Sequence, residues 1–284
     1  MSGLDEDVLD EPPASLIFRP RVRVLRSIVE LWAARALVRA LVEREFRARY
    51  KQAALGIAWA FITPVAYVVV FTVFFQRAVK VDTGGVPYAI YSYVGLLPWT
   101  FFSTSTNQGS SSLLANTSLL NKVYCPREVF PLAAVSGAAL DSLIATIPLA
   151  GMFLLYGFAP AAEAVLLPVL LSVLVCYSVG VALVLSSVTV YLRDVRHLIP
   201  IVLQLGLFAT PVAYSLDVIP ANFRLLYSFA NPVAPVIDGI RRTMLLGLMP
   251  RWDLLFAGAV SSLLLVLFGY RLFKRLERGL ADVA

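Results

Sequence analysis

The chain holds one histidine, His197, set in the charged run Arg193-Asp-Val-Arg-His. A single imidazole excludes an HExxH zinc site, and no histidine-based triad can be assembled around it. The acids gather in the first residues and in the helix that follows them, so no carboxylate pair stands ready for glycosyl transfer or hydrolysis. The four lysines follow Tyr50, Val79, Asn121 and Phe273, so Gly-Lys never occurs and the chain has no Walker A loop for ATP. Cys125 and Cys176 form no CxxC and read as reduced, structural thiols. No metal site is expected. Asp141 is the one acid inside a long apolar run, and an intramembrane carboxylate is a functional candidate by default. The competing reading is a carboxylate satisfied by Ser or Thr on a neighbouring helix. One acid gives ion-coupled transport little to work with.

The elements that must carry these residues follow from composition. The chain has 284 residues, 59% hydrophobic and 15% charged, with a mean hydropathy of +0.79. Soluble domains carry about 45–50% apolar and about 25% charged residues. Disordered, fibrous and disulfide-framework classes are excluded on the same ground, which leaves an integral membrane protein. The net charge of +6 and pI near 9.4 then point to an anionic lipid surface and not to nucleic acid. Residues 1–14 hold Asp5, Glu6, Asp7, Asp10 and Glu11 and no base, so the start is no signal peptide. Residues 1–26 read as a disordered cytoplasmic tail.

A crossing helix needs about 20 apolar residues. Ala53–Phe75 is uncharged and gives the first span; Tyr88–Asn107 gives the second, with a Ser/Thr/Asn-rich extension beyond it. Val129–Ala162, Ala164–Leu192, Leu198–Leu216 and Leu254–Tyr270 supply the other four. The expected fold is therefore an all-α integral membrane protein of six transmembrane helices over residues 53–273. Eighteen Lys/Arg fall on one side of this arrangement and six on the other, which puts both termini and the 274–284 tail in the cytoplasm.

Residues 27–52 read as an N-terminal amphipathic interfacial helix, opened by a Ser27/Glu30 capping box. Ile28, Leu31, Trp32, Val38, Val42 and Phe46 form its apolar side, and Arg35 and Arg39 interrupt it in a way that snorkelling tolerates. The long loop Asp217–Asp253 is too short in apolar runs for further spans and reads as a pair of short outer re-entrant helices.

Four segments carry a resemblance. Arg49-Tyr-Lys-Gln-Ala-Ala-Leu-Gly-Ile-Ala-Trp-Ala leads into the first span, and Asn121-Lys-Val-Tyr-Cys-Pro-Arg-Glu-Val-Phe-Pro joins the second to the third. Tyr191-Leu-Arg-Asp-Val-Arg-His-Leu-Ile-Pro, followed by Thr210-Pro-Val-Ala-Tyr, frames the fifth. Asn231-Pro-Val-Ala-Pro-Val-Ile-Asp-Gly-Ile-Arg completes the set. In this order on six spans, the chain resembles the ABC-2 type permeases of the polysaccharide exporter family, which export O-antigen, teichoic acid or capsule. The resemblance implies a homodimer working with two copies of a separate ATPase subunit, which holds the ATP and Mg. It implies an isoprenoid diphosphate-linked glycan as substrate and the bacterial inner membrane as location. It also implies that the loop Asn121–Val129 couples to the ATPase through Lys122, Tyr124, Arg127 and Glu128.

A sugar chain moving through such a permease needs weak, renewable contacts, which aromatic faces provide. Tyr67, Phe71, Phe74, Phe75, Tyr91, Trp99, Phe101, Phe102, Phe208 and Tyr214 are the candidate conduit rings; the same rings also suit interfacial belts and ordinary packing. Arg44, Arg47, Arg49 and Lys51, at the membrane edge, are candidates for the lipid diphosphate, since guanidinium groups bind phosphate with paired donors. Positive-inside anchoring is the alternative for these four. Proline at Thr210-Pro211 offers a bend of use in gating. A permease for drugs or simple lipids shares the six spans and stays open at this level, as does a membrane enzyme or scaffold without an ATPase.

Overall fold

Backbone in an apolar surrounding must close its own hydrogen bonds, and helices do this within one segment. The computed structural model describes residues 33–50, 58–73, 83–120 and 125–277. Among the described residues no strand occurs. The principal helices are α1 (Arg35–Tyr50), α2 (Trp59–Phe71), α3 (Tyr88–Ala115), α4 (Val129–Leu155), α5 (Leu167–Tyr191), α6 (Val195–Ala209), α7 (Ala221–Ala230), α8 (Val233–Leu245) and α9 (Trp252–Leu276). A 3-10 turn, Ala162–Leu166, leads into α5, and another, Leu216–Val218, follows α6. Among the described residues three helices are long and apolar enough to cross a membrane: Val129–Leu155, Ala162–Tyr191 and Trp252–Leu276. Val195–Ala209 is a shorter apolar helix.

The core is organised around α3, which packs on α4 and α5 and also meets α2, α6 and α8. Its Ile90, Tyr93, Val94 and Leu96 are buried. The helix runs eight residues past the expected end at Asn107, through the Ser-rich stretch. The hydroxyls there turn back onto their own helix: Ser110 donates to the Asn107 carbonyl and Ser112 to that of Gly109, each at 2.7 Å. Back-bonded in this way, a polar sequence can be buried among helices without water. The third apolar run stops being helical at Leu155, earlier than its sequence end, where Gly157 takes φ 62° and closes the helix with Phe158 N–H on the Phe153 carbonyl at 2.9 Å.

Two differences matter for function. The fifth apolar run is expected to be helical over Leu198–Leu216, yet α6 ends at Ala209. Thr210 takes an extended conformation (φ −83°, ψ 142°) ahead of Pro211, whose ring disfavours a helical predecessor. Fifteen residues at 1.5 Å rise span only about 22 Å, short of the roughly 30 Å apolar layer. In addition, α1 lays Leu41 and Val42 against protein, in a buried cluster with Leu113, Val129, Phe130 and Phe273. The expected pair of short helices in the 217–253 loop is present as α7 and α8.

Candidate functional site

The end of α6 leaves backbone carbonyls without helical partners, and each must be satisfied some other way. Arg241 of α8 answers three of them. Its Nε donates to the Tyr91 carbonyl at 3.2 Å, one terminal nitrogen donates to Pro211 at 2.8 Å and Tyr214 at 2.9 Å, and the other donates to Val212. The guanidinium lies 3.9 Å from the centre of the Tyr91 ring, a cation–π contact. Only 3% of the residue is exposed. Gly95 makes the room: a Cβ there would overlap the guanidinium and approach the Val212 carbonyl to 2.7 Å.

The remaining groups of the break are satisfied by neighbours. Tyr88 donates to the Ala213 carbonyl at 2.9 Å, and Tyr227 donates to Ala209 at 2.6 Å. Tyr214 folds back onto the Phe208 and Ala209 carbonyls at 3.0 and 2.9 Å. Asn231 donates to the Thr210 hydroxyl at 2.8 Å. The stretch from Ala209 to Tyr214 is thus pinned by α3, α7 and α8 at once. Such backbone is tolerated at membrane depth only when protein covers it.

Beside this clamp lies an ion-pair group joining α7, α8 and the start of α9. Asp217 meets Arg251 at 2.7 Å and Arg224 at 3.0 Å, and Arg251 reaches Asp238 at 3.8 Å. Burial pushes the Asp217 carboxyl up, but Arg251, with Ser215 and Arg224, outweighs it and holds the group below its ordinary value. At Asp238 burial wins over Arg251 and Arg242, and the carboxyl is pushed up.

Of the candidate conduit rings, Tyr91, Trp99, Phe101, Phe102 and Phe71 are buried. Phe102 stacks on Tyr177 with centres 5.2 Å apart, and Trp99 tilts against Phe102 at 5.6 Å. Phe101 lines an apolar cavity of about 270 Å³ between α3, α4, α5 and α8. Tyr67 and Phe208 are exposed, and Tyr214 is half-buried. Among the described residues these rings do not converge on a single path within the chain. Phe74 and Phe75 lie outside the described residues.

Among the candidate cations, Arg44 donates to the Asn116 side-chain oxygen and Arg47 pairs with Glu43 on the same exposed helix face. Arg49 lies on α1, and Lys51 lies outside the described residues. In the loop between α3 and α4, Lys122 and Tyr124 are likewise outside them. Arg127 donates to the Glu277 carbonyl at 3.0 Å, and Glu128, 1% exposed, pairs with Lys274. Asp141 is half-buried on α4. His197 is exposed and accepts from Arg196 at 3.2 Å. Both cysteines are free, and burial pushes the Cys125 thiol up, in keeping with an unreactive role. Among the described residues no cluster of His, Cys, Asp and Glu could hold a metal ion.

Arg241 is the residue that sequence reasoning passed over, counting it among the outer charges. Its phase was the available signal. Val233, Ile237 and Ile240 form the buried side of α8, and Arg241 follows Ile237 by one helical turn. A cation on an apolar stripe calls for a polar socket.

The sequence pattern of the ABC-2 type transporter family matches residues 36–245. The chain is 30% identical over 261 residues to the O-antigen export system permease protein RfbA of Myxococcus xanthus, covering 91% of this chain and 99% of that protein. It is 26% identical over 245 residues to the O-antigen export system permease protein RfbA of Klebsiella pneumoniae, covering 86% and 93%. It is 24% identical over 248 residues to the polysialic acid transport protein KpsM of Escherichia coli, covering 86% and 94%.

Proposed function

The chain belongs to the ABC-2 type transporter family, and we propose that it is the membrane permease subunit of an ATP-driven exporter for a lipid-linked polysaccharide of O-antigen, teichoic acid or capsule type. The observation that carries this reading is the end-to-end similarity to an O-antigen export permease, at 30% identity over 91% of the chain. The absence of any Gly-Lys pair supports ATP hydrolysis on a separate subunit. The working unit is a homodimer with two ATPase copies in the bacterial inner membrane. Six spans, carried on α2 to α5, on α6 with the pinned segment that follows it, and on α9, leave both ends in the cytoplasm by the eighteen-to-six bias of Lys/Arg.

In this reading the isoprenoid diphosphate of the glycan meets Arg44, Arg47, Arg49 and Lys51 at the cytoplasmic edge. The sugar chain then passes between the two copies. Exposure of Tyr67 and Phe208 and partial exposure of Tyr214 support a seam-lining role for these rings among the described candidates. The pinned segment after α6 forms its outer wall, and its rigidity keeps the exit from collapsing.

The test is reconstitution of the permease with its ATPase in vesicles holding lipid-linked glycan. ATP should bring glycan to the far face, with no hydrolysis by the permease alone. Hydrolysis by the lone chain, or ATP turnover without glycan transfer, overturns the proposal.

A further inference from the structure

Glu128 stands one residue before α4, in the loop that would face the ATPase, yet its side chain points inward. It is 1% exposed and ion-paired with Lys274, near the end of α9. Lys274 also pairs with Glu277 at 2.9 Å. Arg127 lies 4.0 Å from the Glu277 carboxylate and donates to its carbonyl. Tyr191, the last residue of α5, donates to the Leu276 carbonyl at 2.7 Å. The cytoplasmic end of α9 is therefore tied to the loop by two charged residues and to α5 by a tyrosine. Beneath these ties, Val129, Phe130 and Phe273 are wholly buried in one cluster. A carboxylate in such a place cannot reach a partner protein, and its burial is tolerable only because the ammonium answers it.

The α5–α9 contact is equally close. A Cβ on Gly269 would come within 2.9 Å of the Gly180 carbonyl, and one on Gly180 would meet Leu265 and Val266 at 3.0 Å. Helices packed this tightly through small residues move together and do not slide independently. Displacement of the loop thus has a continuous route into α9 and from α9 into α5.

We propose that Glu128 is a positioning residue that passes loop movement to α9 through Lys274, and that it makes no contact with the ATPase. This rests on the exporter reading and specifies which side chain turns ATPase closure into movement of the spans. Arg127, one quarter exposed on its side chain, shares the tie.

The experiment uses the full permease–ATPase complex and compares wild type, Glu128→Lys, Lys274→Glu and the double charge swap. Co-purification of the ATPase, ATP hydrolysis and glycan transfer are each measured. Each single swap should keep ATPase binding and hydrolysis while transfer per ATP falls about tenfold or more. The double swap should recover much of the transfer lost in the singles, since a reciprocal pair restores the 128–274 interaction, and the shortfall comes from the acid it sets beside Glu277. Should a single swap fail to fold, Glu128→Gln with Lys274→Gln removes both charges of the buried pair, and Glu277 keeps Arg127 beside it. That variant should insert normally and still lose coupling. Normal transfer in the single or neutral variants overturns the proposal. So does loss of ATPase binding at Glu128, or a double swap no better than the singles. A wild type that binds no ATPase and moves no glycan overturns the exporter reading itself, and this role with it.

Discussion

Arg241→Lys tests whether the clamp after α6 depends on guanidinium geometry or on positive charge alone. Lysine keeps the charge, so the cost of burying a cation is nearly unchanged. It offers three N–H donors where Arg241 makes four contacts, to Tyr91, Pro211, Tyr214 and Val212. At least one buried carbonyl is then left without a donor, at about 1–3 kcal/mol. Loss of the stacked contact with Tyr91 adds to this. The cost should appear as local opening of the 210–214 segment. Val212 is fully buried, so a Val212→Cys reporter, with Cys125 and Cys176 replaced by serine, reads that opening as a thiol-labelling rate. At a factor of ten per 1.4 kcal/mol, labelling should accelerate about 5- to 140-fold. A Ser186→Cys reporter, fully buried on α5, should be unaffected. Equal Val212→Cys labelling in both backgrounds, or equal acceleration at both reporters, refutes a local clamp.

Gly95→Ala should open the same segment, because its Cβ overlaps the guanidinium; combined with Arg241→Lys its added effect should shrink, since the two share one socket. Gly206→Ala places a Cβ 2.8 Å from the Trp99 ring and should lower stability by about 1–3 kcal/mol, with Trp99→Phe recovering part of it in thermal unfolding. Asp217 is held below its ordinary value, so its contribution is complete above about pH 4, the unfolded value, and is lost as pH falls through the folded one. The acid-side decline of the thermal midpoint should therefore flatten in Asp217→Asn; an unchanged acid limb would show that the Arg251 and Arg224 contacts contribute nothing.

Composition alone settled the solvent of this chain. Few charges and long apolar runs leave helices as the one way to satisfy the backbone, so an all-helical membrane protein was legible before any coordinate. The missing Gly-Lys pair and the lone histidine exclude a Walker A loop and an HExxH site from this sequence. The pair of short helices after α6 was legible too, because Asp217–Asp253 carries apolar stretches too brief to cross. These are local or compositional properties, and local properties survive without knowledge of neighbours.

What tertiary structure decided depends on which surfaces meet. Thr210-Pro211 marks a bend in the sequence, but nothing local says that a guanidinium from thirty residues later fills it. The Ser-rich end of α3 reads as polar and becomes buried helix, since its hydroxyls find carbonyls of their own turn. Trp99, Phe101 and Phe102 read as pathway rings and lie in the core, because α3 is enclosed by its neighbours. Glu128 reads as a surface charge in a cytoplasmic loop, yet Lys274, 146 positions away, draws it inside. A buried charge is tolerated only beside its partner, and pairings over such distances are made by packing, which one-dimensional spacing does not encode.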